Sequence, residues 1–305
     1  MKSQSLTRRQ FLKSSALITA AAWAGASAFT LSPQTAVDQV VLGKSGLKAS
    51  RLGFGAGTHS GRVQRDLGYE GFTRLVHYAY DREITYIDTA DGYKTHPYIR
   101  EAMKGLPREK FFILTKMGGM PENPLAELDR FRRELGTEYV DCVLIHCKIE
   151  PDWDESHKRL MDAFAEAKEK GVIRAHGVSC HSLSATAKAA KLDWVDVNLV
   201  RVNPQGVKMD TNNDNVFDES SIENVPSVVE QLHVMRQNGH GIIGMKIIGE
   251  GDFKSIEDRK KSISFAMQPG LVDAITIGFK SESEIDEAIL HMNEALKYHA
   301  NKEQQ

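Results

Sequence analysis

The chain has 305 residues, 41% of them hydrophobic and 26% charged, which is enough apolar material for one sizeable core. Its formal net charge of −2 lacks the basic excess of nucleic-acid and membrane-surface proteins, so neither partner is expected. Cysteine occurs only at Cys142, Cys147 and Cys180, and an odd, small number argues against a disulfide framework.

In chain order, the first feature is a targeting segment. A basic start, Arg8-Arg9-Gln10-Phe11-Leu12-Lys13, precedes an uncharged apolar stretch from Ala16 to Ala26 and the small-residue run Ala26-Ser27-Ala28. That stretch is too short for a comfortable membrane span and suits a cleavable signal. The paired arginines followed by Phe-Leu-Lys resemble a twin-arginine (Tat) export signal. Residues 1–35 are therefore expected to be signal and short linker, and residues 36–305 one domain. The resemblance implies the Tat machinery as a partner, a periplasmic or otherwise exported location, and no membrane attachment once the signal is cleaved. Because that route carries folded proteins, a cofactor acquired in the cytoplasm fits it.

Beyond residue 40 one pattern repeats. Short apolar runs cover Leu52–Ala56, Ile84–Ala90, Phe111–Lys116, Val140–His146, His176–Ser179, Val195–Val202, Ile242–Ile248 and Ala274–Gly278. They do not alternate, as parallel strands covered on both faces do not. Between them lie helical spacings: Phe72, Leu75, Val76 and Ala79; Leu125, Leu128, Arg132 by its stem and Leu135, with Gly136 as cap. Leu160, Phe164 and Ala167 repeat the spacing before Gly171, as do Val228, Val229, Leu232 and Met235 before Gly239. Ile285, Ile289, Met292 and Leu296 form the last face. Eight strand–helix units in this length predict an α/β fold, a (β/α)8 TIM barrel, with a doubly wound sheet as the alternative. No Gly-x-Gly-x-x-Gly follows the first strand, which weakens the alternative. The polar stretch Gln205–Pro226 after strand six predicts a lid or substrate wall. Within it, Asp210 to Asp218 faintly resembles a calcium loop but lacks the glycine and glutamate such loops use, so a polar surface turn is expected.

Polar residues close successive strands. Asp88 ends the second, Lys116 the third and His146 the fourth, with Tyr93 just beyond Asp88. In a barrel these ends share one mouth. A free tyrosine has a pKa of about 10, and an ammonium beside it favours the phenolate. Lys116, paired with Asp88, is expected to lower the Tyr93 pKa; the set resembles that of the aldo-keto reductases, which implies Tyr93 as general acid or base and His146 orienting the substrate oxygen.

These residues carry a resemblance to the aldo-keto reductase family along essentially the whole mature chain. It runs from Leu42-Gly43-Lys44-Ser45-Gly46-Leu47 through Leu52-Gly53, which looks like the family's opening hairpin and first strand. It continues through Asp88-Thr89-Ala90 with Tyr93, Thr115-Lys116, Asp141 to His146, Gly177-Val178-Ser179 and Asn203-Pro204. The resemblance implies hydride transfer between a nicotinamide cofactor and a small carbonyl or alcohol substrate, without metal. On the cofactor side it implies roles for Ser179, for Lys280 and Ser281 at a 2′-phosphate, and for Glu287, which stands next to Ala288 where the family usually has an asparagine on the adenine. NADP is the first expectation and NAD the second. The chain departs from the pattern at Cys180, where the family has an asparagine after the serine, and at Leu199 and Val202, where it has a glutamine and a stacking aromatic. Glu284, near a common arginine, would repel a phosphate. A second reading follows from these departures and from export: a cofactor-binding or sensory barrel with little turnover. A third, a metal-dependent barrel using His146 and Cys180, meets an obstacle, since alternation points His146 and Cys147 opposite ways. A Cys147–Cys180 disulfide would need both thiols on one side.

Overall fold

The computed structural model describes residues 34–211 and 222–303; the signal, and residues 212–221 of the polar stretch with most of its calcium-like run, lie outside the described residues. The fold opens with a hairpin, β1 (Gln39–Val41) paired antiparallel with β2 (Lys48–Ser50). Eight parallel strands follow: β3 (Leu52–Gly55), β4 (Tyr86–Asp88), β5 (Phe112–Met117), β6 (Val140–Lys148), β7 (Ile173–Cys180), β8 (Val197–Arg201), β9 (Gly241–Met245) and β10 (Ala274–Gly278). Each pairs with its sequence neighbours, and β10 returns to β3 to close the barrel, which leaves no sheet edge exposed.

Parallel neighbours require a crossover between them, and helices supply it. They are α1 (Arg62–Arg65) and α2 (Gly68–Asp81), α3 (His96–Ala102), α4 (Pro124–Leu135), α5 (Trp153–Ser156) and α6 (Lys158–Glu169), α7 (Leu183–Lys191), α8 (Val225–Gln237), α9 (Ile256–Ala266) and α10 (Glu282–Glu303). The face expected on α2 is buried as read. On α4 the buried residues are Pro124, Leu128, Phe131 and Leu135, so Phe131 and not the stem of Arg132 completes the stripe, and Leu125 is only partly covered. Asn123 caps that helix by accepting from the Ala126 N–H at 3.1 Å, and Gly136 ends it at φ 67°.

The period of two along each strand divides its side chains between two cores. Ile113, Val143, Ile145, Val178 and Val200 point outward and pack under the helices with Phe72, Phe131 and Phe164. Tyr86, Leu114, Cys142, Leu144, Val197 and Leu199 point into the barrel and fill it. The hairpin plugs the lower end, where Leu42, Leu47 and Ala49 join the inner cluster. Gly53 on β3 makes room for the Tyr86 ring, from which a β-carbon there would lie 2.2 Å. Each fully buried Leu or Phe of these layers contributes about 2 kcal/mol.

Candidate active site

Continuing the inward parity one step beyond the apolar filling reaches the site. Tyr86 is followed by Asp88, Leu114 by Lys116, Leu144 by His146, Gly177 by Ser179 and Leu199 by Arg201. All five lie at the C-terminal ends of their strands.

Lys116 is 1% exposed, and its ammonium donates to Asp88 Oδ1 and to the Thr89 carbonyl, each at 2.8 Å. Tyr86 donates to the other oxygen of Asp88 at 3.1 Å. The third reach of Lys116 is toward Tyr93, whose ring centre is 5.0 Å from Nζ. Burial works against the charge on Lys116, but Asp88 and Tyr93 outweigh it and raise its pKa.

Tyr93 ends a short 3₁₀ turn, Asp91–Tyr93. Arg130 of α4 holds the turn through Asp91 at 3.0 Å, and Arg65 donates to the Tyr93 carbonyl. Gly57 leaves space for the ring, since a β-carbon there would sit 2.3 Å from it. The Tyr93 pKa is raised, contrary to expectation: burial penalises the phenolate more than Lys116 favours it. The resting phenol therefore keeps its proton.

His146 stands edge-on to Tyr93, ring centres 5.6 Å apart. Burial, reinforced by Lys116, Lys148 and Lys246, pushes its pKa down to about 3. A neutral imidazole offers one donor and one acceptor. A carbonyl oxygen held by the Tyr93 hydroxyl and an N–H of His146 would be polarised and positioned for reduction.

The expectation that His146 and Cys147 point apart fails because the β6–β7 register shifts between Ile145 and Lys148. Cys147 takes a left-handed φ of 59°, and its Sγ lies 3.2 Å from His181 Nδ1 at the mouth. All three cysteines are free, and Cys180 belongs to the outer core. Among the described residues no group of three or more His, Cys, Asp and Glu side chains is arranged to hold a metal.

Ser179 is fully buried, 3.5 Å from His181 Nε2. The remaining cofactor candidates lie elsewhere. A cavity of about 440 Å³ runs from Asp88 and Tyr93 past Lys246 to Lys280 and Glu287. Lys280 follows β10, and its backbone N–H donates to Glu284 at 2.8 Å; the two side chains are 3.9 Å apart. Ser281 accepts from the Glu284 N–H at 3.3 Å at the start of α10. Glu287 is engaged by Arg259 through two nitrogens. Arg259, Lys254 and Lys246 also line the cavity but were not identified from sequence. Nor was Arg201, although it shares the parity of Leu199.

Comparison with known proteins agrees with this geometry. The model of the aldo/keto reductase family matches residues 51–303. The Glycine max protein named Probable aldo-keto reductase 1 is 28% identical over 187 residues, 53% of this chain and 52% of the relative. The chain thus spans about half the length of the curated relatives it matches. Among solved structures, an aldo-keto reductase from Bacillus halodurans in its holo form superposes with a TM-score of 0.67 at 16% identity, covering 86% of this chain and 96% of that one. One from Klebsiella pneumoniae in complex with NADPH gives 0.60 at 18% identity, covering 85% and 89%. A closed eight-stranded barrel, the same folded neighbours and a family match across nearly all the described residues agree: the chain belongs to the aldo/keto reductase family.

Proposed function

We propose that the protein is an NADP-dependent oxidoreductase interconverting a small carbonyl compound and its alcohol. The observation that carries this reading is the convergence of a protonated Tyr93, the buried Lys116–Asp88 pair and a neutral His146 at one mouth. The cavity leading away from them fits a dinucleotide by the chemistry of its lining, since Lys254, Arg259 and Lys280 are cations that would pair with its phosphates. Ser179 and Glu287 are the residues proposed for its two ends. NADP is favoured over NAD by those cations and by the Klebsiella barrel, whose structure holds NADPH. Glu284 and Glu287 offset two of them, which keeps NAD as the second choice.

Bound there, a nicotinamide supplies or takes up the hydride. Tyr93 gives its proton to the carbonyl oxygen, and Lys116, close by, lowers the cost of the phenolate left behind. Asp88 keeps Lys116 in place, and His146 donates to the same oxygen and fixes its direction. In oxidation the roles reverse.

The test is consumption of NADPH with a panel of small aldehydes and ketones. Tyr93→Phe should lower kcat by about 10²–10⁴-fold while NADPH still binds. Binding by the wild type without turnover of any carbonyl would favour a cofactor-holding or sensory barrel. Leu199 and Val202, both 1% exposed and apolar where the family has a polar and an aromatic residue, favour that second reading.

Export through the Tat route is part of the proposal and rests on the Arg8-Arg9 motif. Replacing both arginines by lysine should leave the protein in the cytoplasmic fraction; unchanged export would remove it from the Tat pathway.

A further inference from the structure

The carbonyl site is one end of a longer arc of polar side chains. From His146 the arc passes to His181, ring centres 6.3 Å apart, and on to Arg201, whose Nη2 is 2.7 Å from His181 Nδ1. A guanidinium only donates, so Nδ1 accepts and the ring proton sits on Nε2, on the side of Ser179. Arg201 is 3% exposed and Asp210 lies beside it at 3.8 Å, itself bound by Thr186 of α7 at 2.6 Å. Lys246, directly after β9 at φ 58°, lines the same cavity as Tyr93.

The charges around the two imidazoles have one dominant sign. After burial, the groups that drive His146 toward neutrality are Lys116, Lys148 and Lys246. For His181 they are Arg201, His146, Lys246 and Lys116. The carboxylates of the mouth pair with the cations: Asp88 with Lys116, Asp210 with Arg201, and Glu250 with Lys246. None of these carboxylates is among the leading influences on His146 or His181, so a negative group placed between the imidazoles is favourable. Carbonyl reduction uses Tyr93, Lys116 and His146, and leaves Arg201 and Lys246 without a part in the chemistry. Lys246, partly exposed and lining the cavity, can reach a ligand directly, whereas buried Arg201 acts by holding His181 as a donor.

We propose that the substrates are oxo or hydroxy acids: Tyr93 and His146 hold the carbonyl or hydroxyl oxygen, and Lys246, with His181 oriented by Arg201, takes the carboxylate. This names the substrate class of the reductase reading and rests on it. Lys246 is then a specificity-determining residue and Arg201 a positioning residue.

The test compares acids with their methyl esters at two spacings, pyruvate against methyl pyruvate and succinic semialdehyde against its methyl ester, using the NADPH-loaded protein. For one pair at least, kcat/KM should favour the acid by about tenfold or more. Lys246→Met should erase that preference through KM, Lys246→Arg should restore part of it, and Arg201→Met should weaken it. A binding readout runs beside it: butyrate should raise the Tm of the NADP-loaded protein more than butyramide does, and Lys246→Met should abolish the difference. Equal kcat/KM for acid and ester, or equal shifts from butyrate and butyramide, would overturn the proposal while leaving the reductase reading intact. If no carbonyl is turned over, the reductase reading fails, and the carboxylate subsite is then decided by the butyrate–butyramide comparison alone.

Discussion

The two sides of the barrel mouth are built differently. On the β4–β6 side the functional groups Asp88, Lys116 and His146 stand on strands, each one inward step above an apolar residue, with His146 at the point where the β6 register begins to shift. The central ion pair is buried, with side-chain exposures of 1% and 7% for Lys116 and Asp88. On the β9–β10 side the charges hang on turns. Lys246 and Glu250 both adopt left-handed backbone, at φ 58° and 56°. Glu250 is shared between Lys246, Lys208 and the backbone N–H of His59, at 2.8, 3.1 and 2.9 Å. One side holds chemistry rigidly, where a buried pair is costly to break. The other closes three loops over the cavity with partly exposed charges, each worth little alone.

The sharpest way to break this contrast is Lys116→Met. It leaves the Asp88 carboxylate buried with only Tyr86 as a hydrogen-bond donor, so urea unfolding should show a loss of about 3–5 kcal/mol, with turnover undetectable. A loss under about 1 kcal/mol would mean that the strand side is no more committed than the turn side.

Next in size is the response to pH. His146, at about 3, and His181, well below the ordinary value, titrate in the unfolded chain near about 6.5. The unfolded state therefore binds more protons below that pH, so the stability these residues provide is complete above it and drains away as pH falls. His176 and His240, each lowered to about 4, act in the same direction. Asp210, raised to about 6 by burial, acts oppositely, because its native form takes up a proton first as pH falls toward the usual carboxylate range. With His96 and His157, also lowered by burial, six histidines against one aspartate predict a net fall in the urea midpoint from pH 7 to 5. His146→Gln should make that fall shallower by the His146 share; an unaltered slope would show that His146 is not held neutral by the fold.

The smallest effect is expected on the turn side. Glu250→Ala should cost about 1–2 kcal/mol, less than breaking the Lys116–Asp88 pair, yet speed NADPH release several-fold in stopped-flow fluorescence. Large destabilisation with unchanged release would invert the comparison.

The same contrast explains what could be read from the sequence. Asp88, Lys116 and His146 were legible because strand parity and strand ends are properties of the local sequence, and Tyr93 follows Asp88 closely. Arg201 carries the same signal, two residues after Leu199, but stands inside the otherwise apolar run Val195–Val202, which masks it. Cys147 was misdirected because a bulge is a relation between two strands and leaves no mark in either. Lys246, Glu250, Lys254 and Arg259 were illegible for a related reason: tertiary contacts set the turns and helix start that carry them. Arg132 in place of Phe131 was an error of phase on one helix, corrected by which residues meet the barrel. The direction of the Tyr93 shift was decided by weighing burial against one ammonium, and burial cannot be weighed before the ring has a place.

The hairpin plug has a consequence for how protons travel. With Leu42, Leu47 and Ala49 sealing the floor above which Tyr86, Leu114 and Leu144 fill the shaft, the described residues leave no rear entrance for water. Lys116 is engaged by Asp88, Thr89 and Tyr93, so it is not a reservoir either. A proton that Tyr93 surrenders in one turnover can return only by the way the product leaves, and recharging the acid must queue behind product departure.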